Sequence, residues 1–395
     1  MSRPDATVDS STAALPAREI RVLLVTPEYP PTLGGIQSLL HEITSAMPRA
    51  SVMVLTPDAP GGAAFDADAG VRTERVPVRG STPLVRNLVF NLRGLLRLSG
   101  WRPDVVLTGH VVSAPLAYAA SRRFGVPLVV YAHGKEIQGR PRLAGWALRH
   151  CAAAVAVSQY TRGLLLDTVR GRQHAPVHVV HPGVHIPAGR TAVAKHDTGG
   201  GPFTLVTVGR LRDWYKGHDV ILEALPRVLA RLPETRWVVV GDGRRRAALE
   251  ERAVELGVDH AVTFVGAVSD AEKNAWLQRA DVFVMPARYP KGEVAGEGFA
   301  IVYLEAAAWG VPSIAGNVGG PREAVVDGVT GLLVDPESAE QVADAIIQLG
   351  ETPERTRELG ARARHRAEAE FTWDAVAANL ETILRDVCGK HSRRA

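Results

Sequence analysis

The chain is poor in cysteine and in long apolar runs, and each shortage closes off a class of protein. Its two cysteines, Cys151 and Cys388, are too few and too distant for a disulfide framework or a thiolate metal cluster. A reducing, cytoplasmic compartment is the expected home. No apolar run approaches the roughly 20 residues of a spanning helix. Residues 1–18 are polar and lack the basic start and apolar stretch of a signal peptide, so a disordered tail is expected there. Short-period repeats, low-complexity blocks and the G-x-G-x-x-G spacing of dinucleotide-binding turns are also missing. No histidine or cysteine cluster has metal-ligand spacing.

What is present suits two ordinary domains. The 395 residues are 46% hydrophobic and 22% charged, enough for two separate cores. The formal net charge of +4 hides an asymmetry. Residues 1–187 hold 20 Lys plus Arg against 12 Asp plus Glu, a net +8; residues 188–395 hold 26 against 30, a net −4. A basic first half suits an anionic partner, and it equally suits Arg on solvated faces.

Short β-branched runs alternate with amphipathic segments almost throughout, the pattern of parallel α/β layers. Strands are predicted over 21–26, 51–56, 104–108, 127–132, 153–157 and 177–181, then over 203–208, 236–240, 261–265, 281–285, 312–315 and 331–334. The segment 186–202 is rich in Gly, Pro, Thr and Ala and ends in Gly199-Gly200-Gly201-Pro202, which marks a linker. The expected fold class is α/β, with two Rossmann-like, doubly wound parallel-sheet domains facing each other across a cleft. The predicted boundaries are a tail over 1–18, a first domain over 19–187, a linker over 188–202, a second domain over 203–370 and a final helix over 371–395. In such sheets ligands bind beyond the carboxyl ends of the strands.

The richest stretch is Gly296-Glu297-Gly298-Phe299-Ala300-Ile301-Val302-Tyr303-Leu304-Glu305. Glu297 sits in a glycine-rich loop. Glu305 falls about two turns into a helix predicted over 300–308, which ends at Gly310-Val311-Pro312. The free N–H groups of Phe299, Ala300 and Ile301 would then point out of the helix N-terminus, an end that attracts anions. Carboxylates for hydroxyls beside donors for charge suit a ligand carrying both sugar hydroxyls and phosphates.

Other candidates lie at strand ends. Gly34-Gly35 opens a helix and lets backbone approach a phosphate, or is a plain strand-to-helix turn. His133 ends a strand and would point into the cleft; alternatively it is a structural histidine. Arg210 and Lys216 could clamp a diphosphate as planar fork and point charge, or belong to a solvated basic loop. Gly241-Asp242-Gly243 could approach a nucleotide, although turn chemistry explains it equally well. Gly319-Gly320-Pro321 reads as a structural turn. Over 84–99 an amphipathic helix sets Arg86, Arg93 and Arg97 in one stripe with Phe90, while Val85, Leu88, Val89, Leu92, Leu95 and Leu96 line the other side. The Arg stripe suits an anionic membrane surface, and the helix also reads as an ordinary layer helix.

The order of these motifs, Gly34-Gly35, His133-Gly134-Lys135-Glu136, Gly209-Arg210-Leu211 with Lys216-Gly217, Gly241-Asp242-Gly243, then Glu297 with Glu305, resembles the retaining GT-B glycosyltransferases of family four over residues 20–385. The stretches 30–37 and 298–305 further resemble the phosphatidylinositol-mannoside mannosyltransferases. The resemblance implies transfer of a hexose from a nucleotide sugar, first GDP-mannose, to a hydroxyl of an anionic or lipid-linked acceptor such as a phosphatidylinositol mannoside. It places the acceptor on the first domain and the donor on the second, with the last helix crossing back. It implies that Glu305 holds ribose hydroxyls, Glu297 the hexose, and the amides of Phe299, Ala300 and Ile301 the sugar and diphosphate. Arg210 and Lys216, assisted by the Gly35 amide, would neutralise the leaving diphosphate without a metal, and His133 would face the hexose.

Asp66-Ala67-Asp68 resembles the metal-holding aspartates of other sugar-transfer enzymes, but no apolar strand precedes and aims it, so no metal site is expected. Ala300 stands where relatives commonly have glycine, and Trp309 where a small residue is usual. Both bear on the identity of donor and acceptor. Alternatives to the first reading are a transferase using a UDP- or ADP-linked sugar on a natural product or polysaccharide precursor, a sugar-nucleotide epimerase, and a silent nucleotide-sugar binder. Nucleic acid is not an expected partner. The expected location is cytoplasmic, peripheral at the inner face of a membrane.

Overall fold

The computed structural model describes residues 19–32, 34–78, 82–97, 100–188, 201–289 and 296–393. The predicted tail and residues 189–200 of the predicted linker lie outside them. In the first half, β1 (Ile20–Val25), β2 (Ala50–Pro57), β3 (Arg72–Val76), β4 (Val105–Thr108), β5 (Leu128–Ala132), β6 (Ala153–Ala156) and β7 (Val177–Val179) form one sheet. Its order is β3-β2-β1-β4-β5-β6-β7, and every pair is parallel. In the second half, β8 (Thr204–Val208), β9 (Arg236–Val240), β10 (Val262–Gly266), β11 (Val282–Met285), β12 (Ser313–Gly316) and β13 (Gly331–Val334) form the other. Its order is β10-β9-β8-β11-β12-β13, again all parallel.

Strands such as β5 and β8 are buried along their whole length. Helices on both faces require that, and it is why these strands read as unbroken apolar runs. Strand order reverses between β1 and β4 and again between β8 and β11, which opens a crevice at the carboxyl edge of each sheet.

Three predictions need correction. Strand β3, with sequence Arg-Thr-Glu-Arg-Val, was not predicted: it is a sheet edge where only Val76 is buried, so it carries no apolar signal. The helix predicted over 300–308 begins later and spans Val302–Ala308. Ala300 adopts a left-handed φ of 71°, which no helix accommodates. Glu305 therefore lies in the first turn, and the amides of Phe299, Ala300 and Ile301 belong to the approach turn.

The third correction concerns helix Pro83–Arg97, which exposes most of its leucines as well as its arginines and buries Phe90 and Gly94. Phe90 is 1% exposed and Gly94 is buried, while Leu84, Leu88, Leu92 and Leu96 are between 59% and 80% exposed. Phe90 therefore does not share the exposed face with the arginines. Gly94 is needed because a Cβ there would lie 2.5 Å from Leu116. Asn91 is also held inward, donating to the Val112 carbonyl at 3.2 Å and accepting from the Leu116 amide at 3.0 Å. Arg93 donates to the Pro77 carbonyl and Arg97 pairs with Glu74.

The last helix, Trp373–Ser392, is capped by Thr372 and packs on the first domain. Val184 pairs with Thr372 in a parallel bridge, and the Arg49 amide donates to Glu381 at 3.1 Å. A Cβ on Gly183 would lie 2.5 Å from the Trp373 ring, so the crossing chain passes tightly there.

Candidate active site

The site is assembled from loops at the carboxyl ends of both sheets. After β8, the chain runs through Gly209 and Arg210 into a short turn, Trp214–Lys216. Gly217 follows with φ 78°, and a Cβ there would meet the Pro286 carbonyl at 2.4 Å. That fold-back buries Lys216 and directs its ammonium at Glu297 Oε1, 2.5 Å away, with Met285 Sδ at 3.8 Å. Burial opposes the charge on both groups. Their mutual attraction outweighs it, raising the Lys216 pKa and lowering that of Glu297, with Lys135 and Arg210 adding to the effect on Glu297. Arg210 is exposed beside them.

Gly241 and Gly243 pack the loop after β9 against this turn. A Cβ on Gly241 would lie 2.1 Å from the Gly209 carbonyl, and one on Gly243 2.4 Å from that of Leu211. Packing alone thus requires both glycines.

Tyr289 fixes the Glu297 loop. Its hydroxyl donates to the Glu297 carbonyl and accepts from the Gly320 amide at 3.3 Å. Its ring fills the space that side chains at Gly296 and Gly319 would occupy. Sequence reasoning missed Tyr289; the two glycines were its only trace. It also missed Lys273, whose ammonium lies 2.8 Å from Glu305 Oε1 and 2.9 Å from Asp270. Helix Asp270–Arg279, with a Ser269 capping box, positions that lysine. The Phe299 ring is buried near His181 and Phe371, so this residue offers only backbone to a ligand. Ala300 and Ile301 lie beside it, partly exposed.

From the first domain, Gly34 and Gly35 begin helix Gly35–Ser45. The preceding loop is held by Arg75, which donates to the Pro30 carbonyl and to both oxygens of Asp66. Asp66 is thus engaged in positioning this loop. Among the described residues, no group of three acidic, histidine or cysteine side chains is arranged to hold a metal. His133 is buried, and its Nε2 lies 2.8 Å from the Gly109 carbonyl. A carbonyl only accepts, so Nε2 carries the proton. Burial keeps the ring neutral by lowering its pKa. The His133 amide donates to Glu136 at 2.5 Å. Glu28, another group missed from sequence, has a pKa raised by burial and by Glu136, against the pull of His133 and Arg210.

The lobes touch around the Glu297 loop. Ser158 Oγ donates to the Gly298 carbonyl at 2.6 Å, and a Cβ on Gly298 would collide with the His133 carbonyl. Glu323 accepts from the amides of Gln159 and Tyr160 at 2.7 and 2.9 Å and lies 3.1 Å from His181 Nε2. Lys135 lies over the Tyr215 ring of the opposite lobe, 4.2 Å from its centroid. The structure thus brings Arg210, Lys216, Glu297 and His133 to one crevice. Glu305 is placed one helix turn beyond the Glu297 loop, and Gly241 behind Gly209.

Comparison with known proteins gives this arrangement a context. Residues 190–366 match the family model for glycosyl transferases group 1, and residues 33–186 that for glycosyltransferase family 4. The chain is 35% identical to the GDP-mannose-dependent alpha-(1-6)-phosphatidylinositol monomannoside mannosyltransferase of Mycobacterium tuberculosis, covering 92% of this chain and 98% of that one. It is 30% identical to the glycogen synthase of Mycobacterium tuberculosis, over 91% and 92% of the two chains. Among solved structures, Anabaena HepE in complex with UDP superposes with a TM-score of 0.77 at 20% identity, over 93% of this chain and 100% of that one.

Proposed function

Because the chain belongs to the glycosyl transferases group 1 and is a GT-B glycosyltransferase, we propose that it transfers mannose from GDP-mannose, with retention of configuration, to a phosphatidylinositol mannoside. The mycobacterial mannosyltransferase, 35% identical over nearly its whole length, supports the choice of donor and acceptor. The observation that carries the chemical part is the buried Lys216–Glu297 pair beside the exposed Arg210.

In this reading Glu297 binds hexose hydroxyls and Glu305 binds the ribose, released from Lys273 or sharing it. The amides of Phe299, Ala300 and Ile301 face the sugar and diphosphate, Gly34 and Gly35 permit close approach of backbone, and Gly241 shapes the site from behind by packing on Gly209. As the anomeric C–O bond breaks, its electron pair passes to a β-phosphate oxygen. Lys216, held in place by Glu297, and the exposed Arg210 beside it stabilise that charge as it develops. The acceptor oxygen bonds to the anomeric carbon, and its proton passes to the departing phosphate. The neutral His133 lies near the hexose as a hydrogen-bond acceptor through Nδ1.

Two cations supply the countercharge that a divalent ion provides in other transferases, so activity should persist in EDTA. Loss of turnover with chelator, restored by Mg²⁺, would contradict this part.

The exposed leucines of helix Pro83–Arg97, bordered by Arg86, Arg93 and Arg97, suit peripheral contact with an anionic lipid surface. No helix among the described residues is long and apolar enough to cross a membrane.

A second reading, transfer from a UDP- or ADP-linked glucose to a polysaccharide, draws support from the likeness to glycogen synthase. Initial rates with GDP-mannose, UDP-glucose and ADP-glucose on phosphatidylinositol monomannoside and on glycogen separate the two. The first reading requires turnover with the first donor and the lipid, with an α-linked product by NMR. Activity confined to glycogen would overturn it.

A further inference from the structure

Lys135 is given no role in the proposed chemistry, yet it occupies a place no ordinary surface lysine would. It follows His133-Gly134 at the end of β5, in the first lobe, and reaches across the crevice to the second. Its Nζ lies 4.2 Å from the centroid of the Tyr215 ring, and the Lys216 Nζ lies 5.5 Å from the same centroid. Two ammonium groups from opposite lobes therefore share one aromatic ring.

The charges around that ring do not balance. Lys135, Arg210 and Lys216 all act on Glu297, whose carboxylate is bonded directly to Lys216. Asp213, the other carboxylate acting on Lys135, is already paired with Arg244 at 3.3 Å. Burial lowers the pKa of Lys135, as do Lys216 and Arg210, against the attraction of Glu297 and Asp213. With Asp213 paired to Arg244, the three cations Lys135, Arg210 and Lys216 face two carboxylates, Glu297 and Glu28, which leaves a surplus suited to an anion. The aromatic face is a weak partner that a phosphate oxygen would readily replace.

We propose that Lys135 is a third cation of the donor-diphosphate site, delivered by the first lobe and resting on Tyr215 until a phosphate takes its place. The inference rests on the proposed reading of the cleft as a nucleotide-sugar site and adds a residue from the lobe opposite to Arg210 and Lys216. Contact with the diphosphate draws the lobes together, since the group that binds it comes from both sides. A phosphate on the acceptor shares this chemistry. The donor is favoured because Lys135 converges with Lys216 and Arg210 on Glu297.

Binding of nucleotides without acceptor separates these sources. Affinities of GDP, GMP, UDP, UMP, ADP and AMP are measured by calorimetry for the wild type, Lys135→Met and Lys135→Arg. The preferred diphosphate should bind about tenfold more weakly to Lys135→Met, with its monophosphate unchanged and Lys135→Arg close to wild type. Equal diphosphate affinity in Lys135→Met and wild type would overturn the proposal and leave the acceptor phosphate as the partner to examine. An equal loss for monophosphate and diphosphate would also overturn it, since the effect would not follow the second phosphate. Failure of the wild type to bind any of the six would instead overturn the reading of the cleft. Lys135 is exposed at the mouth of the crevice, so both variants should fold; unchanged thermal unfolding checks this.

Discussion

Replacing Lys216 by methionine separates what this lysine does for the fold from what it does for the reaction. Its ammonium lies 2.5 Å from Glu297, and the two side chains are only 11% and 17% exposed. Removing one partner of such a pair strands the other charge, which costs about 3–5 kcal/mol. Lys135 and Arg210 still act on Glu297, so the low end of that range, about 3 kcal/mol, applies here. The same change removes one preorganised charge from the leaving diphosphate, a loss of about 100- to 1,000-fold in turnover.

The double variant Lys216→Met/Glu297→Gln removes the stranded charge. It should regain most of the stability in urea unfolding while its turnover stays low. The pH dependence carries a sign. Glu297 titrates below its ordinary 4.5 and Lys216 above its ordinary 10.5. The pair's stabilisation is therefore complete between those values. It fades in acid as pH falls through the depressed Glu297 pKa, and in base as pH rises through the raised Lys216 pKa. The stability gap between wild type and Lys216→Met should be widest in mildly alkaline solution, narrow in acid, where a proton neutralises the stranded Glu297, and narrow again in strong base as Lys216 loses its charge. Turnover of the single variant within about threefold of wild type would refute the reasoning, because no preorganised donor would then have been lost.

Other perturbations test separate parts. Glu305→Ala should weaken nucleoside diphosphate binding about tenfold, and unchanged affinity would remove its ribose role. Tyr289→Phe deletes the hydroxyl that joins the Glu297 carbonyl to the Gly320 amide. About 1–2 kcal/mol of stability should be lost in urea unfolding, and an unaltered midpoint would count against that bond. Leu88→Ser with Leu92→Ser should reduce flotation with anionic liposomes while shifting stability by less than about 0.5 kcal/mol, both side chains being exposed. Undiminished flotation would rule out this helix as the lipid contact.

How much of this was legible in the sequence varied with the physics of each element. The buried strands announced themselves because parallel strands under two layers of helix must be apolar throughout; β3, a charged edge, could not. The helix over residues 83–97 showed two faces, but amphipathicity does not say which one meets the core. Here Phe90, Asn91 and Gly94 do, fixed by Leu116 and the Val112 carbonyl. The start of helix Val302–Ala308 was misplaced because a left-handed alanine leaves no mark in composition. Within the site, Arg210, Lys216, Glu297 and His133 were readable as strand-end residues in glycine-rich company. Lys273 and Tyr289 were not, since each reaches its partner through tertiary packing alone.

The central claim is that Arg210 and Lys216 receive the charge that leaves with the diphosphate. A crystal structure of the protein with GDP tests it most directly. The account requires β-phosphate oxygens within hydrogen-bond distance of both cations, with Lys216 still beside Glu297. A diphosphate bound elsewhere, with both side chains turned from it, would contradict the account.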